Sequence, residues 1–592
     1  MKLLKRIDPY ALLLCVLVFG VSLSVVNISA PLTEGWWHVY ARWIDQGRIP
    51  YKDFELLVPP GYPYLMWLLT HIVGEQFLHL RILGCLLEAV IALQLFYLFK
   101  GLIGKFMAVV LAFFGTIYLY SGSASITYDY HYFAIFFILG AVLFLQKSRF
   151  FDTKIFSKSD LRLIVLAGVS VALSSLIKQT YAIAFGLVVV LYLIVHLFYE
   201  LQGWKIVIKK LACLFLSWLS VLLIVALYFM SQGALIQMIQ QIFFGAAEVK
   251  GSTISVAFKW IAGLWEPYWI SYNARSVVVL VIACFAFSAL SKRWKLFKSS
   301  SHVENFLLAI AIGVFLLILG LIRSNVVDSK NEMAGEFWQI IREAIFLAPL
   351  LVLAYMFFRL RKIDSPWAPM IVVALTFAWG NGMSAGLTEY GTFFSSITAF
   401  AFLAASFGMN KIVSIISIST VFVSSAVMYG NRLVEPYSWW GYSTPSANEA
   451  TVISEIGLTS GLKFSKEGYK EFTEISDKLK SLTCEGEVIG YPHMPIFALD
   501  ADRLPVGKAA VYWYDFVGQK TLNEESARLE MSTFSALIQM DTKETAKQHQ
   551  ALFEITNSSG RQNFTRVVGE IISRYEIQKY PALEIEFASC QP

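Results

Sequence analysis

Residues 31–65 read PLTEGWWHVYARWIDQGRIPYKDFELLVPPGYPYL and lie near the start of the chain. This segment is rich in charged, aromatic and turn-forming residues. The chain on either side contains apolar runs of about 20 residues, which is the length that a helix needs to cross a bilayer. A polar segment between such runs is typical of a membrane protein with several spanning helices, and it sets the frame in which the rest of the chain is interpreted.

The composition of the 592 residues agrees with this interpretation. Hydrophobic residues make up 57% of the chain and charged residues only 15%, with a mean hydropathy of +0.60. Because soluble domains carry about 25% charged residues, this chain lacks the polar surface that water requires. The formal net charge of +6 is not gathered on a basic face with interleaved aromatics, so we expect no nucleic-acid partner and expect membrane lipids to be the natural surroundings.

About thirteen apolar runs are long enough to span a bilayer. The predicted spans are residues 9–30, 78–99, 105–121, 131–146, 163–180, 181–198, 211–230, 276–290, 303–322, 344–358, 367–383, 391–408 and 412–430. With the N-terminus in the cytoplasm, Lys and Arg recur in every second connection, which is the positive-inside pattern. Counting the apolar residues 60–76 as a span would invert this pattern, so we predict a partly embedded hairpin there. The first run has no small-residue cleavage site at its end and is expected to remain as an anchor.

The composition changes after residue 430. We therefore predict a transmembrane domain over residues 1–430, with 31–77 as its first exterior loop, and an exocytoplasmic α/β domain over 431–592. Within the latter, an amphipathic helix is predicted near 465–481 and strands at 487–491 and 509–516. The chain is thus predicted to be a polytopic α-helical membrane protein of the plasma (inner) membrane.

Two of the six cysteines, Cys484 and Cys590, lie in this C-terminal region. If the region faces an oxidising compartment, a disulfide between them is the simplest expectation.

The first exterior loop has a simple interpretation that involves no catalysis. Its aromatic residues recur at helical spacing, at Trp36, Trp37, Tyr40 and Trp43. They predict a short helix in the membrane interface with its rings at headgroup depth. Thr33 would cap this helix, and Glu34 in its first turn would suit the helix dipole. By residue type alone, Glu34 is a capping carboxylate more readily than a catalytic one.

The spacing of the whole loop resembles the first exterior loop of the GT-C glycosyltransferases. The similarity is greatest to the family-39-like clan, which includes the protein O-mannosyltransferases and the lipid A aminoarabinose transferases. The residues that carry the resemblance are Glu34, Gly35, Gly47, Pro50, Tyr51, Asp53, Phe54, Pro59 and Pro60. Arg81 at the start of the next helix and Lys178-Gln179-Thr180 at the end of a later one also agree. Beyond that point the match is one of architecture.

Two positions depart from the pattern of the clan. Thr33 stands where the clan often has Asp, and Val58 stands where it often has Lys. The first departure moves the expected catalytic base to Glu34 or Asp53, and the second removes one potential phosphate contact.

The resemblance implies an inverting glycosyltransferase that moves a sugar from a polyprenyl-phosphate donor to a lipid, polysaccharide or protein acceptor. A carboxylate, Glu34 or Asp53, would take the proton from the acceptor hydroxyl as that oxygen attacks the anomeric carbon. Cations would stabilise the lipid phosphate as it leaves, and Arg81 and Lys178 are the expected phosphate-binding residues. Both kinds of group would lie at the exterior membrane face, where the donor's tail anchors its phosphate.

Further polar residues have more open roles. Asp129, in the second exterior loop, and Glu55 are candidates for binding the acceptor or a metal, and a divalent cation is left open as a cofactor. His131 is expected to be an interface residue rather than a metal ligand, because no HxxH or HExxH arrangement is present. Glu88 shares a helix face with Arg81 and is expected to pair inside the bundle.

Two other function classes stay open. A transporter or flippase of lipid-linked saccharides would favour ionisable groups near the bilayer midplane and symmetry between halves. The acids and cations here are predicted at the exterior helix ends, and the sequence has no internal repeat, which favours the enzyme. The departures at Thr33 and Val58 also leave open a non-catalytic member of the same fold.

Overall fold

The computed structural model of the chain describes residues 8–29, 34–120, 126–151, 157–199, 204–245, 368–385 and 429–590. Within the last range, 431–432, 435, 440–441, 444, 513–515, 532–533 and 541–558 are outside the description. The predicted spans 276–290, 303–322, 344–358 and 391–408, and nearly all of 412–430, also lie outside the described residues.

Helices make up the N-terminal part of the described chain. They are α1 (Pro9–Ser22), α2 (Trp36–Asp45), α3 (Gly61–Val73), α4 (Phe77–Ile103), α5 (Lys105–Tyr120), α6 (Tyr130–Lys147), α7 (Lys158–Ile177), α8 (Gln179–Tyr199), α9 (Trp204–Ser231), α10 (Leu235–Ile239) with a following π-helical turn (Gln240–Gly245), and α11 (Ala368–Ala385). Among the described residues, α4, α6, α7 and α9 are long and apolar enough to cross a membrane. By length and composition, the chain is a helical membrane protein.

The first helix is shorter than the predicted span 9–30, which is wrong beyond Ser22. α1 has 14 residues, a rise of only about 21 Å. After α1 the carbonyls of Val26 and Ile28 accept hydrogen bonds from Arg81 of α4. Ile28 also forms a bridge with Lys463 of the C-terminal part. The chain leaves the helix because these tertiary partners satisfy its backbone groups.

Residues 60–76 do not form the predicted hairpin. They contain the single helix α3, which follows the Pro59-Pro60 pair and ends at Gly74 with a φ of +88°. Thirteen residues rise about 20 Å, which is too short for a span of about 30 Å. The polar His71 is accommodated in the last turn of α3, where its Nδ1 lies 2.7 Å from the Trp67 carbonyl.

The helix predicted in the first loop exists as α2, but its predicted cap and surroundings are wrong. Its N-cap is Gly35, with a φ of +108° and no side-chain capping bond, and Thr33 lies outside the described residues. Glu34 precedes the helix and is not in its first turn. Trp37 and Tyr40 are each 4% exposed and Trp43 is fully buried. The rings therefore pack inside the protein, because α3 and the C-terminal part cover them.

The C-terminal part is a mixture of helices and strands. Its helices are α12 (Lys466–Ser481), α13 (Pro495–Asp500), α14 (Gln519–Met531) and α15 (Ser559–Ile572). Its strands are β1 (Ser438–Trp439), β2 (Tyr442–Ser443), β3 (Val452–Ile453), β4 (Lys463–Phe464), β5 (Glu487–Tyr491), β6 (Phe534–Met540), β7 (Ile577–Tyr580) and β8 (Ile585–Ser589). A four-stranded sheet has the order β5-β6-β8-β7, with β5 and β6 parallel and the other pairs antiparallel.

The predicted helix near 465–481 and the predicted strand at 487–491 are confirmed. The strand predicted at 509–516 is wrong for its described residues, 509–512 and 516. The flanking Lys508 N–H donates to the Glu525 carboxylate at 2.7 Å, and the Tyr512 N–H donates to the Pro492 carbonyl at 2.8 Å. These partners replace a sheet ladder. Cys484 and Cys590 form the predicted disulfide.

The two parts of the chain share one hydrophobic core. A single cluster of buried side chains runs from α1, α4 and α6 through α2 to α12 and α13. Arg42 of α2 donates to the Leu499 carbonyl at 3.1 Å and pairs with Asp502 at the same distance. Gly35 lies so close to Leu499 that a Cβ atom would approach its side chain to 2.7 Å. The first loop is therefore enclosed between the helix bundle and the C-terminal part.

Candidate functional site at the helix ends

Four helix ends and two loops meet at one end of the bundle. Arg81 lies near the N-terminal end of α4, Asp129 is the N-cap of α6, and Lys178 is the C-cap of α7. The segment after α1 joins them through its carbonyl bonds with Arg81. The topology thus brings residues that are far apart in sequence to the same level of the bundle, where Glu34 of the first loop also lies.

Glu34 is the acid at the centre of this region. It is 2% exposed, and the Arg81 guanidinium contacts both of its carboxylate oxygens, with Nε at 3.0 Å from Oε1. The Tyr128 hydroxyl donates to Oε1 at 2.8 Å. A carboxylate accepts about four hydrogen bonds. Among the described residues, these three bonds hold it as a buried, charge-compensated group, and Oε2 accepts one of them.

Arg81 is committed to protein partners. It is 0% exposed, and its guanidinium makes four hydrogen bonds, to Glu34 and to the carbonyls of Val26 and Ile28. The guanidinium has five N–H donors in all, and its Cζ atom lies 4.7 Å from the Tyr437 ring centroid. Arg81 therefore orients Glu34 and the chain after α1. Its expected role in phosphate binding stays a prediction.

Tyr128 is a residue of this site that sequence reasoning did not single out. It is 2% exposed, and burial together with the nearby Glu34 carboxylate raises the pKa of its hydroxyl well above the usual value of 10. The hydroxyl therefore stays protonated and donates. The only signal in the sequence was its position next to Asp129, in the loop already marked for chemistry.

Asp129, His131 and Lys178 form a second chain of contacts. His131 Nδ1 lies 2.5 Å from Asp129 Oδ1, and the Lys178 ammonium contacts His131 Nε2. Asp129 also accepts the His131 backbone N–H at 2.9 Å, as the cap of α6. His131 and Lys178 are 8% and 5% exposed. The expectation that His131 is merely an interface residue is wrong, because it lies buried between an acid and a cation.

Aromatic side chains connect the group around Glu34 with the contact chain of Asp129, His131 and Lys178. The Tyr62 hydroxyl of α3 donates to the Tyr128 carbonyl. Trp37 packs edge-on against Tyr62 at 4.7 Å and against Tyr130 at 5.4 Å, and Tyr130 lies beside the Lys178 ammonium. The contacts of Trp37, Tyr62 and Tyr130 thus join α2 and α3 to the N-terminal end of α6. An aromatic face attracts a cation through its ring quadrupole, and the Lys178 ammonium lies 5.3 Å from the Tyr130 ring centroid.

Asp53 lies elsewhere in the first loop. It follows α2, whereas Glu34 precedes it, and the ten-residue helix between them is about 15 Å long. Asp53 is half-buried, and its Oδ2 accepts the Ile49 N–H at 2.7 Å. Its other oxygen makes no hydrogen bond within the described part of the chain. Phe54, next to Asp53, packs against Trp43 near the C-terminal end of α2, whereas Glu34 adjoins its N-cap. Within the described residues, no contact joins the two predicted catalytic acids.

The C-terminal part holds the loop that carries Asp53. Arg48 donates to the Asp53 carbonyl at 2.8 Å and to the Gly507 carbonyl at 2.6 Å. Glu55 accepts the Gly518 N–H at 3.0 Å, and its own N–H donates to the Lys508 carbonyl at 2.9 Å. Glu55 therefore fastens the first loop to the C-terminal part. Its expected role in acceptor or metal binding stays a prediction.

Glu88 lies inside the bundle, as expected, at 1% exposure, and accepts a hydrogen bond from Ser22 of α1. Among the residues that the structure describes, no group of three or more His, Cys, Asp or Glu side chains is placed to hold a metal ion. Asp129 is hydrogen-bonded to His131, and its expected role in binding the acceptor or a metal stays a prediction.

Comparisons with known proteins give likenesses of structure alone. No protein-family model matches the chain, and no curated protein matches it in sequence. The oligosaccharyltransferase of Archaeoglobus fulgidus, solved with Zn and sulfate, is similar with a TM-score of 0.47 and 13% identity, over 89% of this chain and 68% of that one. ArnT from Cupriavidus metallidurans is similar in its apo state, with a TM-score of 0.41 and 10% identity. ArnT bound to undecaprenyl phosphate gives 0.38 and 11%, and both ArnT structures cover 98% of this chain and 97% of their own.

Both similar proteins belong to the GT-C superfamily, which the first exterior loop resembles. With TM-scores below 0.5 and identities of 10–13%, these likenesses carry no inference about donor, acceptor or residue roles in this chain.

Proposed function

We propose that this protein is an inverting glycosyltransferase that moves a sugar from a polyprenyl-phosphate donor to an acceptor hydroxyl at the exterior membrane face. The observation that carries the proposal is the gathering of acids and cations at one end of the helix bundle, at Glu34, Arg81, Asp129 and Lys178. A donor held in the bilayer by its tail presents its phosphate at a helix end. The resemblance of the first loop to GT-C transferases supports the same reaction.

The reaction needs a carboxylate to accept the proton of the acceptor hydroxyl, and the two candidates differ in what they offer. Glu34 is paired with Arg81, and its Oε2 accepts a single hydrogen bond within the described part of the chain, but it is buried. Asp53 is half-buried and has one oxygen without a hydrogen bond in the described part of the chain, but it lies beyond α2. Either carboxylate serves as the base in this proposal.

Placement of the site outside the cytoplasm is part of the proposal. The positive-inside pattern of the sequence puts this end of the helices on the exterior face, with the N-terminus in the cytoplasm. The Cys484–Cys590 disulfide supports an oxidising compartment for residues 431–592. The acceptor belongs to one of three classes that carry hydroxyls at this face, namely lipid, polysaccharide or protein.

The test is sugar transfer by the purified wild-type protein and by Glu34→Gln and Asp53→Asn. Undecaprenyl phosphate carrying a radiolabelled hexose, pentose or amino sugar serves as the donor, and release of undecaprenyl phosphate is followed together with label in the acceptor. Loss of the general base should reduce kcat by about 10²–10⁴-fold. The variant that shows this loss identifies the base.

Matched controls separate catalysis from folding. Glu88→Gln removes a buried carboxylate from α4 that is outside the site, and Asp160→Asn removes an aspartate that accepts the Ser157 backbone N–H at 2.8 Å. Both should keep wild-type kcat. Normal transfer in both Glu34→Gln and Asp53→Asn would overturn the assignment of the base. If wild-type protein moves the labelled lipid across vesicles without sugar transfer, the protein is a flippase; if it does neither, it is a non-catalytic member of the fold.

A further inference from the structure

Asp53 lies in a tight turn that contains an unfavourable backbone conformation. The Asp53 N–H donates to the Ile49 carbonyl at 2.9 Å, and the Ile49 N–H donates to Asp53 Oδ2 at 2.7 Å. Between these residues, Tyr51 has a φ of +71°, which is a left-handed conformation that a bulky side chain rarely adopts. Such a conformation persists only where the surrounding structure holds it, and conformations of this kind are concentrated at functional sites.

Tyr51 is held in this conformation by its neighbours. Its hydroxyl donates to the Val58 carbonyl at 2.8 Å, and its ring packs edge-on against Phe229 of α9, with the ring centroids 5.4 Å apart. Its backbone N–H donates to the Phe54 carbonyl at 2.8 Å. The backbone and the side chain of Tyr51 therefore both have fixed partners, and the turn that carries Asp53 is fixed with them.

A residue that is distant in sequence holds the backbone on both sides of Asp53. Gln241 lies in the π-helical turn (Gln240–Gly245) that follows α10, and its Nε2 donates to the Tyr51 carbonyl at 2.8 Å. Its Oε1 accepts the Leu56 N–H at 2.9 Å. One side-chain amide thus joins the chain before Asp53 to the chain after it. Single π-helical turns within helices are frequent at functional sites.

The carboxylate that this turn carries has the properties of a supported base. Its Oδ2 accepts the Ile49 N–H, whereas its Oδ1 makes no hydrogen bond within the described part of the chain. The side chain is half-buried, in contrast to that of Glu34, which is 2% exposed. A general base needs an acceptor atom within hydrogen-bond reach of the proton that it removes, and it needs neighbours that hold it in the productive geometry.

We propose that Gln241 is a positioning residue that fixes the turn around Asp53 and so directs Asp53, as the general base, to the acceptor hydroxyl. This inference rests on the proposed glycosyltransferase function and selects Asp53 from its two candidate bases. Asp53 Oδ1 takes the hydroxyl proton while the acceptor oxygen bonds to the anomeric carbon. The bond from that carbon to the phosphate oxygen breaks, and its electron pair leaves with the lipid phosphate.

The test compares wild type with Gln241→Met, using the labelled undecaprenyl-phosphate sugar that the wild-type protein transfers. Met has a similar length but lacks the amide group that joins the two sides of the turn. Because a small displacement of a catalytic group is costly to the rate, Gln241→Met should lower kcat by about tenfold or more. The KM for the donor should stay within about twofold, since Gln241 does not contact the donor in this proposal. A raised KM with unchanged kcat would assign Gln241 to substrate binding and overturn the inference.

The double variant of Asp53→Asn with Gln241→Met shows whether Gln241 acts through Asp53. Single-turnover transfer of the label is measured for both single variants and for the double variant. Once the base has been removed, its position has no effect on the rate, so the double variant should be no slower than Asp53→Asn alone. Losses that multiply in the double variant would assign Gln241 a structural role that is independent of Asp53, and they would overturn the inference.

A matched control addresses folding. Gln240 precedes Gln241 in the same π-helical turn, is exposed and makes no side-chain hydrogen bond within the described residues. Gln240→Met should keep wild-type kcat, and an equal loss in Gln240→Met and Gln241→Met would overturn the role of the Gln241 amide. If Gln241→Met does not fold, Gln241→Asn takes its place, because its shorter side chain keeps the amide but cannot reach both backbone partners.

The remaining outcomes separate the two proposals. Loss of transfer in Glu34→Gln together with wild-type kcat in Asp53→Asn would make Glu34 the base. This result would overturn the inference about Gln241 and leave the glycosyltransferase proposal standing. If the wild-type protein transfers no sugar from any of the labelled donors, the proposed function is overturned, and the inference about Gln241 with it.

Discussion

The two acids at opposite ends of α2 have different environments although both belong to the same loop. Glu34 is 2% exposed and is compensated by the Arg81 guanidinium and the Tyr128 hydroxyl. Asp53 is half-buried, and its carboxylate accepts one backbone N–H of its own turn. A buried charge with a charged partner is part of the folded core, whereas a turn-capping carboxylate near water is exchangeable at little structural cost.

This difference determines whether a substitution of each acid should affect the stability of the fold, the activity, or both. Replacement of Glu34 or its partners leaves a buried charge uncompensated at this end of the helix bundle. Such a substitution should therefore change both the stability and the activity of the protein. Replacement of Asp53 leaves no buried charge without a partner. A change in the activity of an Asp53 variant would therefore reflect the chemical step and not a loss of stability. We therefore expect the largest losses of stability for substitutions at the buried Glu34–Arg81 pair. Substitutions of partly exposed acids should have the smallest effects.

The largest effect is expected for Arg81→Met. The substitution keeps the length and apolar stem of the side chain but leaves the Glu34 carboxylate buried without its cation. Removing one partner of a buried ion pair costs about 3–5 kcal/mol. The apparent Tm of the purified protein in detergent, followed by tryptophan fluorescence, should fall strongly.

The control for Arg81→Met is the double variant with Glu34→Gln. Because the second substitution removes the uncompensated carboxylate, the double variant should recover part of the lost Tm. If the double variant is no more stable than Arg81→Met alone, the buried ion pair is not the source of the loss.

An intermediate effect is expected for Tyr128→Phe. It removes only the hydroxyl that donates to Glu34 at 2.8 Å. A hydrogen bond to a charged group contributes about 1.5–3 kcal/mol, so the drop in apparent Tm should be smaller than for Arg81→Met. Tyr62→Phe serves as the comparison. It removes a hydroxyl that donates to a neutral carbonyl, so it should lower the apparent Tm less than Tyr128→Phe does. A larger loss in Tyr62→Phe would contradict this ranking.

The smallest effect is expected at Glu75, an acid that is 41% exposed and pairs with Arg42 at 2.8 Å. Its hydrogen bond with Arg42 lowers the pKa of the Glu75 carboxyl below the usual value of 4.5. The pair therefore stabilises the fold fully above pH 4.5, and this stabilisation is lost as the pH falls through the lowered pKa. Because the pair is partly exposed, it should contribute less than about 1 kcal/mol.

The measurement is apparent Tm from pH 7 to pH 3 for wild type and Glu75→Gln. The difference between the two proteins should be constant above pH 4.5 and should shrink toward acid pH. A difference that grows toward acid pH would show that the sign of this assignment is wrong.

Parts of the fold and site follow from local sequence features. The helices α4 to α9 and α11 coincide with apolar runs because a bilayer requires long apolar segments with internally satisfied backbones. The strand at 487–491 and the disulfide of Cys484 with Cys590 also follow from pattern and composition. Arg81 and Glu34 were selected as separate candidates, but no local feature indicates that they pair.

The errors in the sequence predictions have a common cause. The end of α1 at Ser22, the buried rings of α2 and the irregular residues 509–512 depend on partners that are distant in sequence. Lys463 and Arg81 bind the chain after α1, and α13 covers α2. The sequence shows each of these segments alone, so their own hydrophobicity suggested a longer span, an interfacial helix and a strand.

The amino-acid sequence by itself determined that this chain is a helical membrane protein, and the spacing of acids, glycines and prolines drew attention to the loop of residues 31–65. Only the tertiary structure decided that Glu34 pairs with Arg81 and Tyr128, that Asp53 lies apart from them, and that His131 joins Asp129 to Lys178. The physical reason is that hydrophobic length acts locally along the chain. Charge compensation and hydrogen bonding depend on which helix ends lie next to each other, and only folding brings those ends together.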